Sequence, residues 1–129
     1  MRLIFAERNT LNPFSKIRFS EKLFMLSKDK YCLESILEAI LKIQDYTNRI
    51  VNPDNLYNDN KTFDATIMNF VIIGEMVSKI CDGFKTENPH IEWNKIKDFR
   101  NLLAHNYFGI DAEEVWQIIQ NDLPILKNQ

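Results

Sequence analysis

From about residue 29 onward the chain is patterned as helices. Leu33, Ile36, Leu37, Ile40, Ile43, Thr47 and Ile50 recur at i, i+3, i+4 and i+7, the spacing that lays one apolar stripe along a helix. Asn52 and Pro53 stop it, and "NPDNLYNDN" reads as a polar connection. A second helix is predicted over about 63–81, with Ile67, Phe70, Val71, Gly74, Val77 and Ile80 on its inner face. A glycine in mid-helix costs about 1 kcal/mol relative to alanine, so Gly74 predicts a close helix crossing. Gly83 suits the cap after this helix ends.

A third helix is predicted over about 93–106, with Ile96, Phe99 and Leu103 inward and Gly109 breaking it. Asp111 then caps a fourth, and Glu114 three residues later completes an Asp-x-x-Glu variant of the capping box. Val115, Ile118, Ile119 and Leu123 form its core face. Pro124 would clash with the carbonyl of Gln120, so this helix should kink or end near Asn121. No segment alternates with period two. The pattern therefore predicts an all-α protein, an up-and-down bundle of four main helices, antiparallel where the loops are short.

Residues 1–28 behave differently. Their apolar positions are scattered, Pro13 interrupts them, and no helical period is sustained. They read as a loosely docked N-terminal extension, with at most a short helix over 19–26, ahead of a single bundle domain over 29–129. Charge divides at the same point. The extension holds six Lys/Arg against two Asp/Glu, a net of +4, and the rest holds ten against sixteen, a net of −6. An acidic body is not a broad nucleic-acid-coating surface, so any RNA must be met at a local basic spot. The apolar run of "MRLIFAERN" is too short for a signal-peptide core, and nothing approaches the roughly 18 apolar residues of a membrane span. Two cysteines, Cys32 and Cys81, are too few for a disulfide scaffold or a zinc site. They imply a reduced cytoplasmic protein without structural metal or cofactor. Hairpin geometry makes the two thiols candidate neighbours, buried as small hydrophobes.

The chemistry concentrates in "RNLLAHNYFGID", residues 100–111. Asn101 and His105 are four apart and share a helix face. Arg100 and His105 are five apart, rotated by roughly 140°. Tyr107 points away from His105 unless the helix is already unwinding toward Gly109. These residue types suit metal-free RNA cleavage, in which the ribose 2′-hydroxyl attacks its own phosphate. Histidine can serve as base or acid, and arginine holds the pentavalent phosphate with a permanently charged fork. One chain offers one well-placed imidazole and a two-fold dimer offers two, so the chemistry itself argues for a homodimer. A purely structural reading stands beside this one. A histidine near a helix C-terminus interacts favourably with the dipole, a helical arginine is usually solvated, and asparagine commonly caps. His90, in its loop, has nothing around it that suggests chemistry, and Trp93 and Trp116 read as core aromatics.

"FRNLLAHNYFGID" resembles the signature of the HEPN superfamily, with Arg100, Asn101, His105 and Tyr107 in the motif places. "KDKYCLESILEAILKIQDYT", "NFVIIGEMVSKI", "IEWNKIKDFRN" and "VWQIIQNDLPILK" are similar in order and spacing to the HepT branch, the toxin of HepT/MntA toxin–antitoxin pairs. The likeness runs from about residue 28 to the C-terminus. It implies a type VII-like toxin and a dimer with the motif helices at its interface, enclosing a cleft suited to RNA. It also implies a minimal nucleotidyltransferase antitoxin that transfers AMP groups to Tyr107. Each added phosphate would compete for Arg100 and fill the cleft beside His105. On this reading Arg100 and His105 are catalytic, Asn101 orients His105 or the RNA, and Tyr107 accepts the modification. The alternative is a non-catalytic helical module that only engages the nucleotidyltransferase. Two departures stand out. The extension lies outside the likeness, as an RNA-binding arm, a partner-docking segment or a translation-start artefact. Glu92 stands where relatives carry proline before the tryptophan, which should alter the start of that helix but not the site.

Overall fold

In the computed structural model, residues 19–106 and 109–128 are described. Residues 1–18 of the extension, and Tyr107, lie outside them. Every regular element among the described residues is helical: α1 Phe19–Thr47, α2 Pro53–Asn58, α3 Asn60–Lys79, α4 Asp82–Glu87, α5 Trp93–His105, α6 Ala112–Gln117 and α7 Leu123–Asn128. The four predicted main helices are α1, α3, α5 and the α6–α7 pair.

The first helix begins ten residues before the expected start. Nothing between Phe19 and Thr47 is glycine or proline, so the backbone stays helical even where the apolar period is lost. Its first turns carry Phe19, Leu23, Phe24 and Leu26 exposed, and burial starts at Asp29. The core stripe of α1 is Cys32, Ile36, Ala39, Ile40, Ile43 and Thr47. Leu37, predicted to face inward, is exposed, and Ala39 sits in the core instead.

The "polar connection" corrects to a helix of its own. Asn52 accepts a bond from the Asn55 N–H at 2.8 Å, and Pro53 occupies the first helical position, where its missing donor costs nothing. Leu56 seals the bundle end, fully buried in the core cluster. Asp59 then caps α3 through the Thr62 N–H at 3.2 Å. Gly83 is not the cap after α3. Ile80 takes that place with extended backbone, and Gly83 lies buried inside α4.

Pro124 neither ends its helix nor leaves it regular. The turn Ile118–Asp122 widens into a π turn in which the Leu123 N–H donates to the Ile118 carbonyl, five residues back. The wider turn relieves the clash between the proline ring and the Gln120 carbonyl, and α7 continues beyond it. Val115, Ile119 and Leu123 stay in the core throughout. Trp93 and Trp116 pack against that core as half-buried aromatics.

The point along α1 where burial begins, at Asp29, lies beside the end of α3. Asp29, buried in α1, accepts from the Cys81 N–H at 3.0 Å and from its thiol at 2.8 Å. Both cysteines are buried and free. Desolvation, then the Asp29 bond, push the Cys81 thiol above its ordinary value of 9.0; desolvation, then the Asp29 charge, do the same for Cys32. A thiol whose folded value is raised contributes stability that is full below the unfolded value and is lost as pH rises through the folded one. The native protein should therefore resist thiol-labelling reagents that react at once in denaturant. Its urea midpoint should fall as pH rises past the ordinary thiol value of 9.0, and fall less in Cys32→Ala. Equal labelling rates in the native and unfolded states would contradict this burial.

Candidate active site

The last two turns of α5 carry the predicted site. The helix starts without a side-chain cap at Glu92, the position where the sequence departs from its likeness. Its start is held instead by Trp93, whose indole N–H donates to the Asn88 carbonyl at 3.0 Å. From there Leu103 turns into the core, Arg100 and Asn101 are half-buried, and His105 is exposed at the final helical residue. Asn106 follows as C-cap, its N–H donating to the Leu102 carbonyl at 2.9 Å. The Gly109 N–H then turns back to the Asn106 carbonyl at 3.0 Å. A Cβ on Gly109 would sit 2.7 Å from the Asn106 carboxamide, the end of an exposed side chain that can swing aside.

Arg100 and His105 take different environments, as the 140° rotation between them requires. His105 faces solvent at the negative end of the helix dipole, where a cation is favoured. Arg100 turns instead to α3. A Cβ built on Gly74 would overlap the Cβ and Cγ of Arg100 and touch its Cα at 3.5 Å. The predicted close crossing is therefore present, and its occupant is the arginine stem. Phe70 and Phe99 continue the contact edge-to-face, with ring centroids 5.3 Å apart.

At the far end of that stem, Arg100 Nη1 donates to Glu75 Oε1. Sequence reasoning missed Glu75. It stands next to Gly74 in "NFVIIGEMVSKI", and a carboxylate beside a buried mid-helix glycine was the available signal; its partner on α5 could only come from the packing. Asn101 is half-buried on the His105 side of the helix. Tyr107 is outside the described residues.

A cavity of about 770 Å³ opens on another side of α5, between Phe70 and Ile73 of α3 and Leu123 and Leu126 of α7. None of Arg100, Asn101 and His105 lines it. Its charged lining is mainly acidic, with Glu92, Asp98, Glu114 and Asp122 against Lys95, which disfavours a polyanion. His90, exposed in the loop before α5, also borders it. Among the described residues no group of three or more His, Cys, Asp or Glu is placed to hold a metal ion. No helix there is long and apolar enough to cross a membrane.

An all-helical bundle with a half-buried arginine and an exposed histidine closing one helix has the architecture and motif order of the HEPN superfamily. Within it, the chain belongs to the HepT-like ribonucleases: the family described as "Ribonuclease HepT-like" matches residues 36–129. A protein of Thermococcus cleftensis named "Probable ribonuclease HepT" is 38% identical over 105 residues, covering 81% of this chain and 94% of that one. "Putative RNase MJ0127" of Methanocaldococcus jannaschii is 36% identical over 92 residues, 71% of this chain and 75% of its own. From the same organism, "Gamma-glutamylcyclotransferase and putative RNase MJ0434" is 32% identical over 100 residues. This chain covers 45% of that protein. No solved structure matches the chain.

The crossing gives a direct test. Gly74→Ala raises helix propensity by about 1 kcal/mol, yet it forces a methyl into Arg100, and overpacking costs about 1–3 kcal/mol. The thermal midpoint should fall. A rise would mean that α3 and α5 are not in contact at Gly74.

Proposed function

We propose that this chain is the toxin of a type VII-like toxin–antitoxin pair, a metal-independent endoribonuclease that acts as a homodimer. The observation that carries the reading is the division of labour at the end of α5. A permanent cation is packed against the body of the protein, and an imidazole is left in solvent five residues on. Membership of a ribonuclease family supports it.

In the proposed reaction the ribose 2′-hydroxyl loses its proton to one His105 and attacks the adjacent phosphorus. The bond from phosphorus to the 5′-oxygen breaks, and that oxygen takes a proton from a second imidazole, His105 of the other subunit. The products are a 2′,3′-cyclic phosphate and a 5′-hydroxyl. Arg100 binds the phosphate and stabilises the charge that builds on its oxygens in the transition state. Asn101, on the histidine's side of the helix, orients His105 or the RNA. Two subunits place their motif helices side by side and share one cleft, because a single chain turns its arginine and histidine apart.

Tyr107 is the proposed switch. A cognate nucleotidyltransferase adds AMP to its hydroxyl, and the added phosphate competes for Arg100 while the base fills the cleft. A second reading, a non-catalytic module that only engages this transferase, draws on the acidic balance of residues 29–129, which repels RNA everywhere except at the cleft.

The two readings part in one experiment. On this proposal His105→Ala loses toxicity and its cleavage of RNA in EDTA falls by about 10²–10⁴, while the protein keeps its fold by circular dichroism. A His105→Ala chain as toxic as the parent would rule the nuclease out. Co-expression with the transferase should add AMP mass on the Tyr107 peptide, and an intact mass unchanged at that peptide would remove the switch.

A further inference from the structure

Gly74 and Glu75 are consecutive on α3 and meet the same residue. Gly74 vacates the space that the Arg100 stem fills. Glu75 meets the guanidinium at the end of that stem. The two partners differ in access. The Arg100 side chain is 20% exposed and that of Glu75 is 44% exposed, so the arginine is the fixed member and the carboxylate the one water can reach. The pair is also incomplete: Oε1 receives Nη1, while the buried Nε has no partner. A guanidinium carries five N–H donors, and arginine–carboxylate pairs frequently engage two of them as a fork. Here one nitrogen is held and donor capacity remains.

We propose that Glu75 is a positioning residue for the phosphate-binding arginine, a carboxylate that holds Arg100 in place and yields it to phosphate as the transition state forms. This rests on the ribonuclease reading of the site. The electrostatics give the sequence of events. Glu75 lowers the net charge that an incoming phosphodiester monoanion meets, so it weakens ground-state binding. The pentavalent transition state carries a second negative charge, and it displaces the carboxylate more effectively than the ground state does. An interaction stronger in the transition state than in the ground state raises turnover instead of merely lowering KM. Holding the guanidinium by one edge also spares the reaction the cost of ordering a free side chain.

Glu75→Gln keeps the shape and removes the charge, and Glu75→Asp keeps the charge with a shorter reach. Binding to an uncleavable 2′-O-methyl RNA and steady-state cleavage of the ribo form should be measured for each, with thermal midpoints. Glu75→Gln should bind the 2′-O-methyl RNA severalfold more tightly than the parent, with a lower KM and a kcat reduced about tenfold or more. Glu75→Asp should recover part of the kcat. The gain in binding should vanish when Arg100→Gln is added. The proposal is overturned if Glu75→Gln leaves both binding and kcat unchanged. It is equally overturned if binding, kcat and thermal midpoint fall together, the mark of a purely structural pair, or if neither parent nor variant binds RNA. Tighter binding by Glu75→Gln with no cleavage by the parent would uphold the coupling and reject the nuclease reading alone.

Discussion

The structure depends on two helices approaching where one of them has no side chain. At Gly74 the absence of a Cβ lets α5 lie against α3 with the stem of Arg100 in the seam. A glycine in a helix interior is a standing cost of about 1 kcal/mol, and here it is offset by the packing it permits. From that contact much of the rest follows. The aliphatic part of Arg100 is covered by α3, its head lies beside Glu75, and the Phe70–Phe99 pair closes the same seam. His105, a turn and a half further along α5, is carried past the bundle into solvent.

That arrangement separates two demands that conflict in a small acidic protein. A cation needs a firm seat if it is to act as a fixed phosphate ligand, and a seat in the interior needs a countercharge. A proton-transfer group needs access to substrate. If Arg100 and His105 have the proposed roles, the end of α5 meets the first demand with half-burial and Glu75, and the second by placing the histidine last. The cavity on another side of the helix has an acidic lining, so that flank disfavours a polyanion. On the proposed chemistry, the fold supplies a preorganised cation, and a second copy of the chain supplies the second imidazole.

Much of this was legible in the sequence because periodicity reports packing directly. The stripe from Ile36 to Thr47, the inner face of α3 and the close crossing at Gly74 all follow from residue spacing. The family was legible too, from "RNLLAHNYFGID" and four blocks in order. What escaped did so for physical reasons. The helix over 53–58 is too short to show a period, and only the Asn52 cap and Pro53 could have signalled it. Leu37, read as inward, is exposed and Ala39 is in the core, because positions at the edge of a helical stripe are decided by tertiary contact. Pro124 could be read as a disturbance but not as a π turn, since the backbone has several ways to accommodate it. The Asp29–Cys81 link and the Glu75–Arg100 pair join residues 52 and 25 positions apart, and no local pattern connects them. At the site itself, Arg100, Asn101 and His105 were read as a group from one motif, yet the fold half-buries the first two and leaves His105 in solvent.

The most direct test of the account is the chemical identity of the ends it leaves on RNA. An RNA with one preferred cleavage position should be incubated with the protein in EDTA, beside the same RNA carrying a single 2′-deoxy sugar at that position. The account predicts a 2′,3′-cyclic phosphate and a 5′-hydroxyl from the first, and no cleavage at the modified position of the second. Products ending in a 5′-phosphate and 3′-hydroxyl, or cutting at the deoxy position, would contradict attack by the ribose hydroxyl and with it the roles proposed for Arg100 and His105.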